Sequence, residues 1–351
     1  MEKYMKAVVV VEANKVEIRD DVPVPELRDY ECLVKTHACG FCNGTDLQVI
    51  GGTIEESGGF MGFPTVLGHE GSSEVIQIGP KVRHIRIGDR YIHNNLRPDV
   101  GNGYTKTYGS MAQYGLVVDH RAMLEDGYKP SEIPFWKKQE EFPKDIDYID
   151  GAMLLSLAES HSAAYNFGTK EGDHILIYGS GPMGTALALF MKILGAEEVV
   201  IVDSVPERLE NAKRVAHVDR TVNFVETPLK EALGEQLFDL VVDAVGRSSI
   251  LVEGSQYLKP YGKVCSLGVL RKDDLLINVG RLKWNTSLHM LNWPYGEYDI
   301  LPETIKLIQA GKVNPKDFYS HVLPFTEVNR AAELVRTRQA LKCILNFDID
   351  V

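Results

Sequence analysis

The feature that most constrains the fold is a glycine-rich turn between an apolar strand-like segment and a helix-like segment. In ILIYGSGPMG, Gly179, Gly181 and Gly184 have the spacing G-x-G-x-x-G, and the segment TALALFMKILG follows. Such a turn lets the backbone approach a pyrophosphate, while the N-terminus of the following helix offers free N–H groups to the phosphates. The spacing predicts a dinucleotide site that includes Pro182 and Met183 as well as the three glycines.

The segments around this turn alternate between strand and helix patterns. EEVVIVD, LFDLVVDAVG and GKVCSLGVL are typical of buried strands, and PERLENAKRVA has helical periodicity. Strands that alternate with helices predict an α/β unit with a doubly wound parallel sheet, the Rossmann arrangement. Such sheets bind ligands at the carboxyl ends of their strands, where we expect Val245, Gly246 and Gly268 to contribute.

Asp203 ends the second strand of this unit, nineteen residues after Gly184. An acidic side chain there accepts hydrogen bonds from the adenosine ribose and repels a 2′-phosphate, which predicts NAD rather than NADP. Arg208 lies close enough in sequence to leave dual cofactor use open. The structural alternative is that Asp203 only caps the helix that begins in PERL.

Residues 1–150 have a different pattern, with short β-type runs such as KAVVVVEA, ECLVKTHAC and SSEVIQIG between turn residues. This pattern predicts a mostly antiparallel β domain. The C-terminal part returns to helix and loop patterns and ends in the strand-like KCILNFDID. We therefore predict a catalytic domain of residues 1–156 and 297–351, with an NAD-binding domain of residues 157–296 inserted in it.

Charge and cysteine content exclude several classes of function. The formal net charge of −11 disfavours nucleic acid and anionic membranes as partners. No apolar run approaches the ~20 residues of a membrane span, and no signal peptide is recognisable, so we expect a cytoplasmic protein. The odd number of cysteines, five, indicates reduced thiols rather than a disulfide framework.

Candidate metal ligands occur in CGFCNGTD, LGHEGSSEV and LAESHS. Cys42, His69, Glu70 and Glu159 offer a thiolate, an imidazole and two carboxylates. Zn²⁺ accepts this mixture and can keep one position for water or substrate. These residues are the candidate catalytic metal site.

These segments, with GHEGSSEVIQIGPKVRHIRIGDR, GSMAQYGLV, YGSGPMG and VDSVPERLENAKR, resemble the zinc-containing medium-chain alcohol and polyol dehydrogenase family along nearly the whole chain. The resemblance implies a GroES-like, mostly β catalytic domain beside the Rossmann domain, and a homodimer or homotetramer. Glutamate in LAES is similar to the sorbitol and sugar dehydrogenase branch.

The resemblance also implies residue roles. Cys42, His69 and Glu159 would surround a catalytic Zn²⁺, with Glu70 either a direct ligand or a carboxylate close to the ligands. Thr45 would relay the alcohol proton, and Asp46 would support the ligands through a hydrogen bond.

Three positions depart from the family pattern. Asn43 makes the segment between Cys42 and Thr45 one residue longer than usual, and Gln48 lies where relatives often carry a second relay histidine. His161 replaces a common Pro-Leu and is a substitute ligand, a base or a histidine buried on a helix. Residues 91–150 contain no cysteine, so no structural zinc is expected.

Together these features predict reversible, NAD-linked and zinc-dependent oxidation of a secondary alcohol to a ketone, with a polyol, sugar or cyclitol as substrate. The alternatives are a zinc-free quinone or enone reductase and a catalytically silent NAD-binding protein. The loop residues His93, Asn94, Asn95 and Arg97 either contact substrate hydroxyls or are solvated. No cluster of Lys and Arg in the sequence indicates a phosphorylated substrate, and the segment LKWNTSLHML is the candidate subunit contact.

Overall fold

The structure is a computed structural model that describes residues 2–54, 60–268 and 274–349. The chain forms two compact units, a first unit of Met1–Leu155 with Leu301–Val351 and a second unit of Ser156–Ile300. The second unit is thus inserted between two parts of the first.

The strands, in chain order, are β1 (Tyr4–Glu12), β2 (Lys15–Pro23), β3 (Glu31–Phe41), β4 (Thr65–Val66), β5 (Glu70–Ile78), β6 (Arg90–Ile92), β7 (Thr105–Lys106), β8 (Tyr114–Val118), β9 (Glu140–Phe142), β10 (His174–Tyr178), β11 (Glu198–Asp203), β12 (Arg220–Asn223), β13 (Phe238–Asp243), β14 (Leu258–Ser266), β15 (Ser287–Met290), β16 (His321–Pro324) and β17 (Cys343–Asn346). The α-helices are α1 (Thr45–Gly51), α2 (His120–Glu125), α3 (Tyr148–Gly151), α4 (Leu154–Asn166), α5 (Pro182–Ile193), α6 (Pro206–Ala216), α7 (Leu229–Leu233), α8 (Ser248–Ser255), α9 (Glu297–Gln309) and α10 (Val328–Arg336).

The second unit contains a parallel sheet, which in the described residues has the strand order β12-β11-β10-β13-β14-β15. The chain runs from β10 outward to β12 and then crosses to β13 on the other side of β10. Strands β10, β11 and β13 are apolar and buried along most of their length, as expected for a sheet with helices on both faces. The predicted doubly wound fold is confirmed, and ligands bind such sheets where the strand order reverses.

The first unit is built on mostly antiparallel sheets. Its larger sheet, counted over the described part of the chain, has seven strands in the order β16-β17-β3-β5-β6-β9, and β8 also pairs with β3. The C-terminal strand β17 pairs antiparallel with β3, with Leu345 opposite Cys39. The C-terminal segment therefore completes the β unit that the N-terminal segment begins, and the predicted GroES-like fold is confirmed.

The core of the first unit holds β3 in place. Helix α10 buries Val328, Ala331, Ala332 and Val335, which lie on one face at helical spacing, and these pack in the same apolar cluster as Phe41 at the end of β3. Each large apolar side chain buried in this way contributes about 1.5–3 kcal/mol. This packing fixes the end of β3, from which the segment with the candidate ligand Cys42 starts.

Two strands of the first unit are very short. β7 pairs with β4, and β9 pairs with β6 through backbone hydrogen bonds despite its sequence Glu-Glu-Phe. Side-chain pattern did not indicate these strands because neighbouring backbone, rather than their own composition, stabilises them. Across the described residues, no helix combines the length and apolar character that a membrane span requires.

Candidate metal centre and dinucleotide site

Three of the candidate metal ligands meet where β3 ends and β5 begins. Cys42 follows the last residue of β3, and Glu70 is the first residue of β5. The strands pair antiparallel with Gly40 opposite Glu70, which brings Cys42 beside the start of β5. The ligand atoms of Cys42, His69 and Glu70 lie within 4.8 Å of one another.

Gly40 leaves the space that the Glu70 carboxylate fills. A Cβ at position 40 would lie 2.2 Å from Glu70 Oε2 and 3.1 Å from the carbonyl oxygen of Ala152. A larger residue at this position would push the carboxylate out of the cluster. The sequence pattern gave no sign of this role, since it depends on strand register.

Asp46 supports the cysteine and the histidine from the first turn of α1. It is buried, its Oδ2 accepts a hydrogen bond from the Cys42 N–H at 2.8 Å, and its Oδ1 lies 3.7 Å from His69 Nδ1. Burial raises the pKa of Asp46 to about 7, against the opposing effect of His69. Thr45 is half-buried, and its N–H donates to Cys42 Sγ at 3.4 Å.

The additional residue of the metal-binding segment is anchored by its side chain. Asn43 Nδ2 donates a hydrogen bond to the carbonyl oxygen of Leu341 at 2.8 Å. Gly44, which precedes α1, is exposed and has open space where a Cβ would be. The additional residue is therefore accommodated in a turn in which the Asn43 side chain is hydrogen-bonded and Gly44 is exposed to solvent.

Lys342 forms a buried ion pair with the candidate ligand Glu70. The lysine Nζ lies 2.7 Å from Glu70 Oε1 and 2.5 Å from Oε2. The exposed fractions of the two side chains are 4% and 2%. Lys342 directly precedes β17, and the pairing of β17 with β3 brings it to the cluster. Sequence reasoning missed this residue because it is separated from Glu70 by 272 positions.

The chemistry of this cluster fits Zn²⁺. Cys42, His69 and Glu70 could provide three protein ligands of different types, as in catalytic zinc sites that keep a fourth position open. Asp46 and Glu70 are both buried, and buried carboxylates require compensating positive charge. Lys342 supplies part of that charge, and a divalent cation would supply the rest.

The two other candidate residues, Glu159 and His161, lie on α4. Glu159 is half-buried, whereas His161 is buried and its ring stacks on Phe190 of α5. The two ring centroids are 4.4 Å apart with an interplanar angle of 9°. This packing corresponds to the third alternative for His161, a histidine buried on a helix.

The polar loop after β6 is not a solvated segment. His93, Asn94 and Asn95 are buried, so the interpretation of these three as solvated residues is wrong. The side chain of Arg97 forms an ion pair with Glu31. The burial arises because backbone hydrogen bonds link this loop to β8 and to the residue after Glu70.

The predicted glycine-rich turn connects β10 to α5. Gly179 has a φ of +100°, which favours glycine, and a Cβ at Gly184 would lie 1.9 Å from the carbonyl oxygen of Gly179. Gly181 is the N-cap of α5 and has nothing within 4 Å of where a Cβ would be. The helix N-terminus therefore opens onto free space that suits a pyrophosphate. Pro182 is the first residue of α5, followed by Met183.

Asp203 is at the carboxyl end of β11, next to this turn. Its Oδ2 accepts hydrogen bonds from the N–H and Oγ of Ser180, at 2.7 and 2.9 Å. Its Oδ1 accepts from the N–H groups of Ser204 and Val205. Arg208 is half-buried in the first turns of α6. Ser180, inside the glycine motif, was overlooked because its side chain acts on a residue of the next strand.

Asp243 organises the ends of β13 and β14. This buried carboxylate accepts hydrogen bonds from the N–H groups of Val245 and Gly246 and from Ser266 Oγ. A Cβ at Gly268 would lie 2.1 Å from the Gly246 nitrogen, so only glycine permits this close approach of the two strand ends. The predicted cofactor residues of these strands thus form one turn region, and Asp243, which holds it, was not identified from the sequence.

Two protein families match the chain. The alcohol dehydrogenase GroES-like domain matches residues 28–125, in the first unit, and the zinc-binding dehydrogenase family matches residues 182–310. Among curated relatives, a probable D-xylulose reductase A of Arthroderma otae is 27% identical over 93% of each chain. A sorbitol dehydrogenase of Bombyx mori is 25% identical over 97% of this chain and 98% of its own length.

Solved structures share the fold along the whole chain. Benzyl alcohol dehydrogenase from Acinetobacter calcoaceticus superposes with a TM-score of 0.82 at 21% identity, covering 98% of this chain and 99% of that one. 2R,3R-butanediol dehydrogenase from Bacillus subtilis gives a TM-score of 0.76 at 19% identity, covering 97% and 99%. The matching domains, the full-length relatives and the cluster of Cys42, His69 and Glu70 agree, and the chain belongs to the zinc-containing medium-chain alcohol and polyol dehydrogenase family.

Proposed function

We propose that this protein is a zinc- and NAD-dependent dehydrogenase that oxidises a secondary hydroxyl group of a polyol, sugar or cyclitol to a ketone, reversibly. The observation that carries the proposal is the cluster of Cys42, His69 and Glu70 in a chain that also contains the glycine-rich turn of Gly179, Gly181 and Gly184. The relatives named D-xylulose reductase and sorbitol dehydrogenase support a polyol as substrate.

Cys42, His69 and Glu70 would hold one Zn²⁺ ion, and Glu159 is the alternative carboxylate ligand. When bound, the ion would stabilise the alkoxide form of the substrate and so make hydride loss possible near neutral pH. The close grouping of the three ligand atoms supports Glu70 as the ligand. The variants E70Q and E159Q show which of the two carboxylates binds the ion, since only replacement of a ligand should lower the zinc content.

Residues around this cluster orient the candidate ligands and would transfer the proton of the alcohol. Asp46 holds the backbone of Cys42 and faces His69, so it fixes the orientation of two ligands. Thr45, adjacent to Cys42, would accept the proton of the alcohol through its hydroxyl group and pass it to solvent. His161 is assigned a packing role because its ring is stacked on Phe190.

The dinucleotide would bind at the turn formed by Gly179, Gly181 and Gly184. NAD accepts the hydride, and the protein residues bind and orient it. Asp203 would accept hydrogen bonds from the ribose hydroxyls, and its charge disfavours the 2′-phosphate of NADP. Ser180 and the backbone after Asp203 hold the carboxylate in place for this role.

Self-association would occur through the edge of the parallel sheet. β15 is the last strand in the order of that sheet and exposes Leu288 and Met290. Trp284, just before it, is 91% exposed. An edge strand with exposed apolar side chains favours pairing with another strand, and the second copy of this chain offers the same edge.

The test is reduction of NAD⁺ to NADH, followed by absorbance, with polyols, inositols, aldoses and simple secondary alcohols as substrates. Each assay is run with metal-free protein, with zinc-loaded protein and with NADP⁺ in place of NAD⁺. Zinc-dependent turnover of polyols with NAD⁺ is expected. Turnover of enones by metal-free protein with NADPH would contradict the proposal and indicate a reductase, and a zinc-loaded protein without any turnover would indicate a silent family member.

A further inference from the structure

A group of polar and cationic side chains of the first unit leads away from the metal cluster. The ring of Tyr108 lies 5.1 Å from the ring of His69 and 5.9 Å from that of His93, measured between centroids. Asn95 donates from Nδ2 to the carbonyl oxygen of His93, and its Oδ1 accepts a hydrogen bond from Lys106 Nζ at 2.9 Å. We call Lys106, Asn95, His93, Tyr108 and the neighbouring Lys138 the Lys106 cluster.

Backbone geometry in this region is unusual. His93 and Tyr108 have φ angles of +54° and +69°, a conformation that bulky side chains rarely adopt. Phe135, whose ring lies 4.9 Å below Lys106 Nζ, and Lys137 have φ angles of +54° and +50°. Strained residues concentrate at ligand sites because function, rather than local preference, maintains them. Of these residues, Tyr108 contacts the candidate ligand His69, and Phe135 contacts Lys106.

The electrostatics of the cluster favour an anion. Burial, and to a smaller extent the charge of Lys138, lowers the pKa of Lys106 to about 8. Burial also lowers the pKa of His93 far below its usual range, with smaller effects from His69, Lys106 and Lys138. Lys138 is a charged neighbour of both groups, and Lys106 is a charged neighbour of His93. Positive charges that are close together and partly desolvated gain most from a bound anion.

We propose that Lys106 determines substrate specificity by binding an anionic group of the substrate, so that the preferred substrate is a polyol that carries a carboxylate or a phosphate group. The inference rests on the proposed dehydrogenase function and extends it. Asn95 holds the lysine in place, and Lys138 adds positive charge. Tyr108, whose ring lies beside that of His69, is the member of the cluster that contacts a candidate metal ligand. The sequence did not indicate this cluster because Lys106 and Lys138 are far apart along the chain.

The experiment compares matched substrates and matched variants. D-sorbitol, D-gluconate and sorbitol 6-phosphate are assayed with zinc-loaded protein and NAD⁺, using wild type, K106Q and K81Q. Lys81 is the control, since it is an exposed lysine of the same unit that is paired with Asp29. Zinc content and circular dichroism show whether K106Q folds as the wild type does, and K138Q serves as a second variant.

We expect kcat/KM for at least one anionic substrate to exceed that for sorbitol by tenfold or more. K106Q should raise KM for the anionic substrate about 10- to 100-fold with little change in kcat, as for loss of one hydrogen bond to a charged group. K81Q should leave both values unchanged. The better of gluconate and sorbitol 6-phosphate identifies the anionic group. Equal kcat/KM for neutral and anionic substrates, or an equal effect of K106Q on both, would overturn the inference and leave the dehydrogenase function standing.

A binding measurement, which does not depend on turnover, distinguishes the proposed dehydrogenase function from the proposed anion site. Calorimetric titration of zinc-loaded wild type and K106Q with gluconate and with sorbitol 6-phosphate measures the anion site directly. If no substrate turns over, the proposed function fails, yet weaker binding of the anion by K106Q would still support the anion site. No binding, or equal binding by both proteins, would refute the anion site whatever the enzymatic result.

Discussion

Replacing Lys342 with methionine should destabilise the metal-free protein much more than the zinc-loaded protein. Lys342 Nζ lies within 2.7 Å of both carboxylate oxygens of Glu70, and both side chains are almost fully buried. Methionine preserves most of the apolar stem and removes the charge. The Glu70 carboxylate then stays buried without this compensating cation.

The expected magnitude follows from that burial. Removing one partner of a buried ion pair costs about 3–5 kcal/mol, because the other charge is left uncompensated. In a unit of about 200 residues this corresponds to a decrease in Tm of about 6–20 °C. If Glu70 is a zinc ligand, the bound cation replaces the lysine charge, and the loss should be much smaller with excess Zn²⁺.

The assay is thermal unfolding of wild type and K342M, each with chelator and with excess Zn²⁺. K35M is the matched control, since Lys35 pairs with Asp348 at 2.8 Å but both side chains are over 40% exposed. Such an exposed pair should contribute only about 0–1 kcal/mol. A K342M protein as stable as wild type in chelator would refute the charge argument. Equal destabilisation with and without zinc would show that Glu70 does not bind the ion.

Three further predictions concern other parts of the molecule. Asp203→Asn should lower the preference for NAD⁺ over NADP⁺ about 10- to 100-fold, measured as the ratio of kcat/KM values; an unchanged ratio would contradict the role of this charge. Leu288→Lys at the β15 edge should shift the protein toward monomer in sedimentation velocity, whereas Val322→Lys, an exposed apolar position of β16, should not; a monomeric wild type would rule out the edge contact. Burial lowers the pKa of His120, so below about pH 6.5 the unfolded chain takes up a proton that the folded protein does not, and the free energy of unfolding decreases as the pH decreases. The free energy of unfolding of H120Q, measured with denaturant, should therefore decrease less than that of wild type between pH 7 and pH 5. Parallel curves for the two proteins would refute this.

The parts of the structure that could be predicted are those that depend on residues close together in the sequence. The strand and helix pattern around Gly179, Gly181 and Gly184 identifies the parallel sheet because each element is long and its apolar residues are periodic. Cys42 and His69 lie in motifs next to strand ends, and strand pairing then brings them together. Local sequence was sufficient to predict which residues lie together wherever these residues belong to one motif or to two adjacent strands.

The parts that could not be predicted depend on contacts between distant segments. Lys342 reaches Glu70 only because the C-terminal strand β17 pairs with β3. Lys106 lies on the two-residue strand β7, and Phe135, which lies beneath it, belongs to a long loop. From the sequence, both lysines would be predicted to be surface residues, since charged side chains are usually exposed. Whether a particular lysine is buried depends on the tertiary structure.

The insertion of Asn43 shows how such a contact changes the meaning of a sequence departure. In the sequence, one additional residue between Cys42 and Thr45 departs from the family spacing on which the relay role of Thr45 is based. In the structure, the Asn43 side chain donates to the carbonyl oxygen of Leu341, the residue that precedes Lys342. The residue after Cys42 and the residue before the partner of Glu70 are therefore joined by one hydrogen bond. The insertion links the thiol side of the metal cluster to the segment that supplies its buried cation, so its spacing constrains the cluster rather than loosening it.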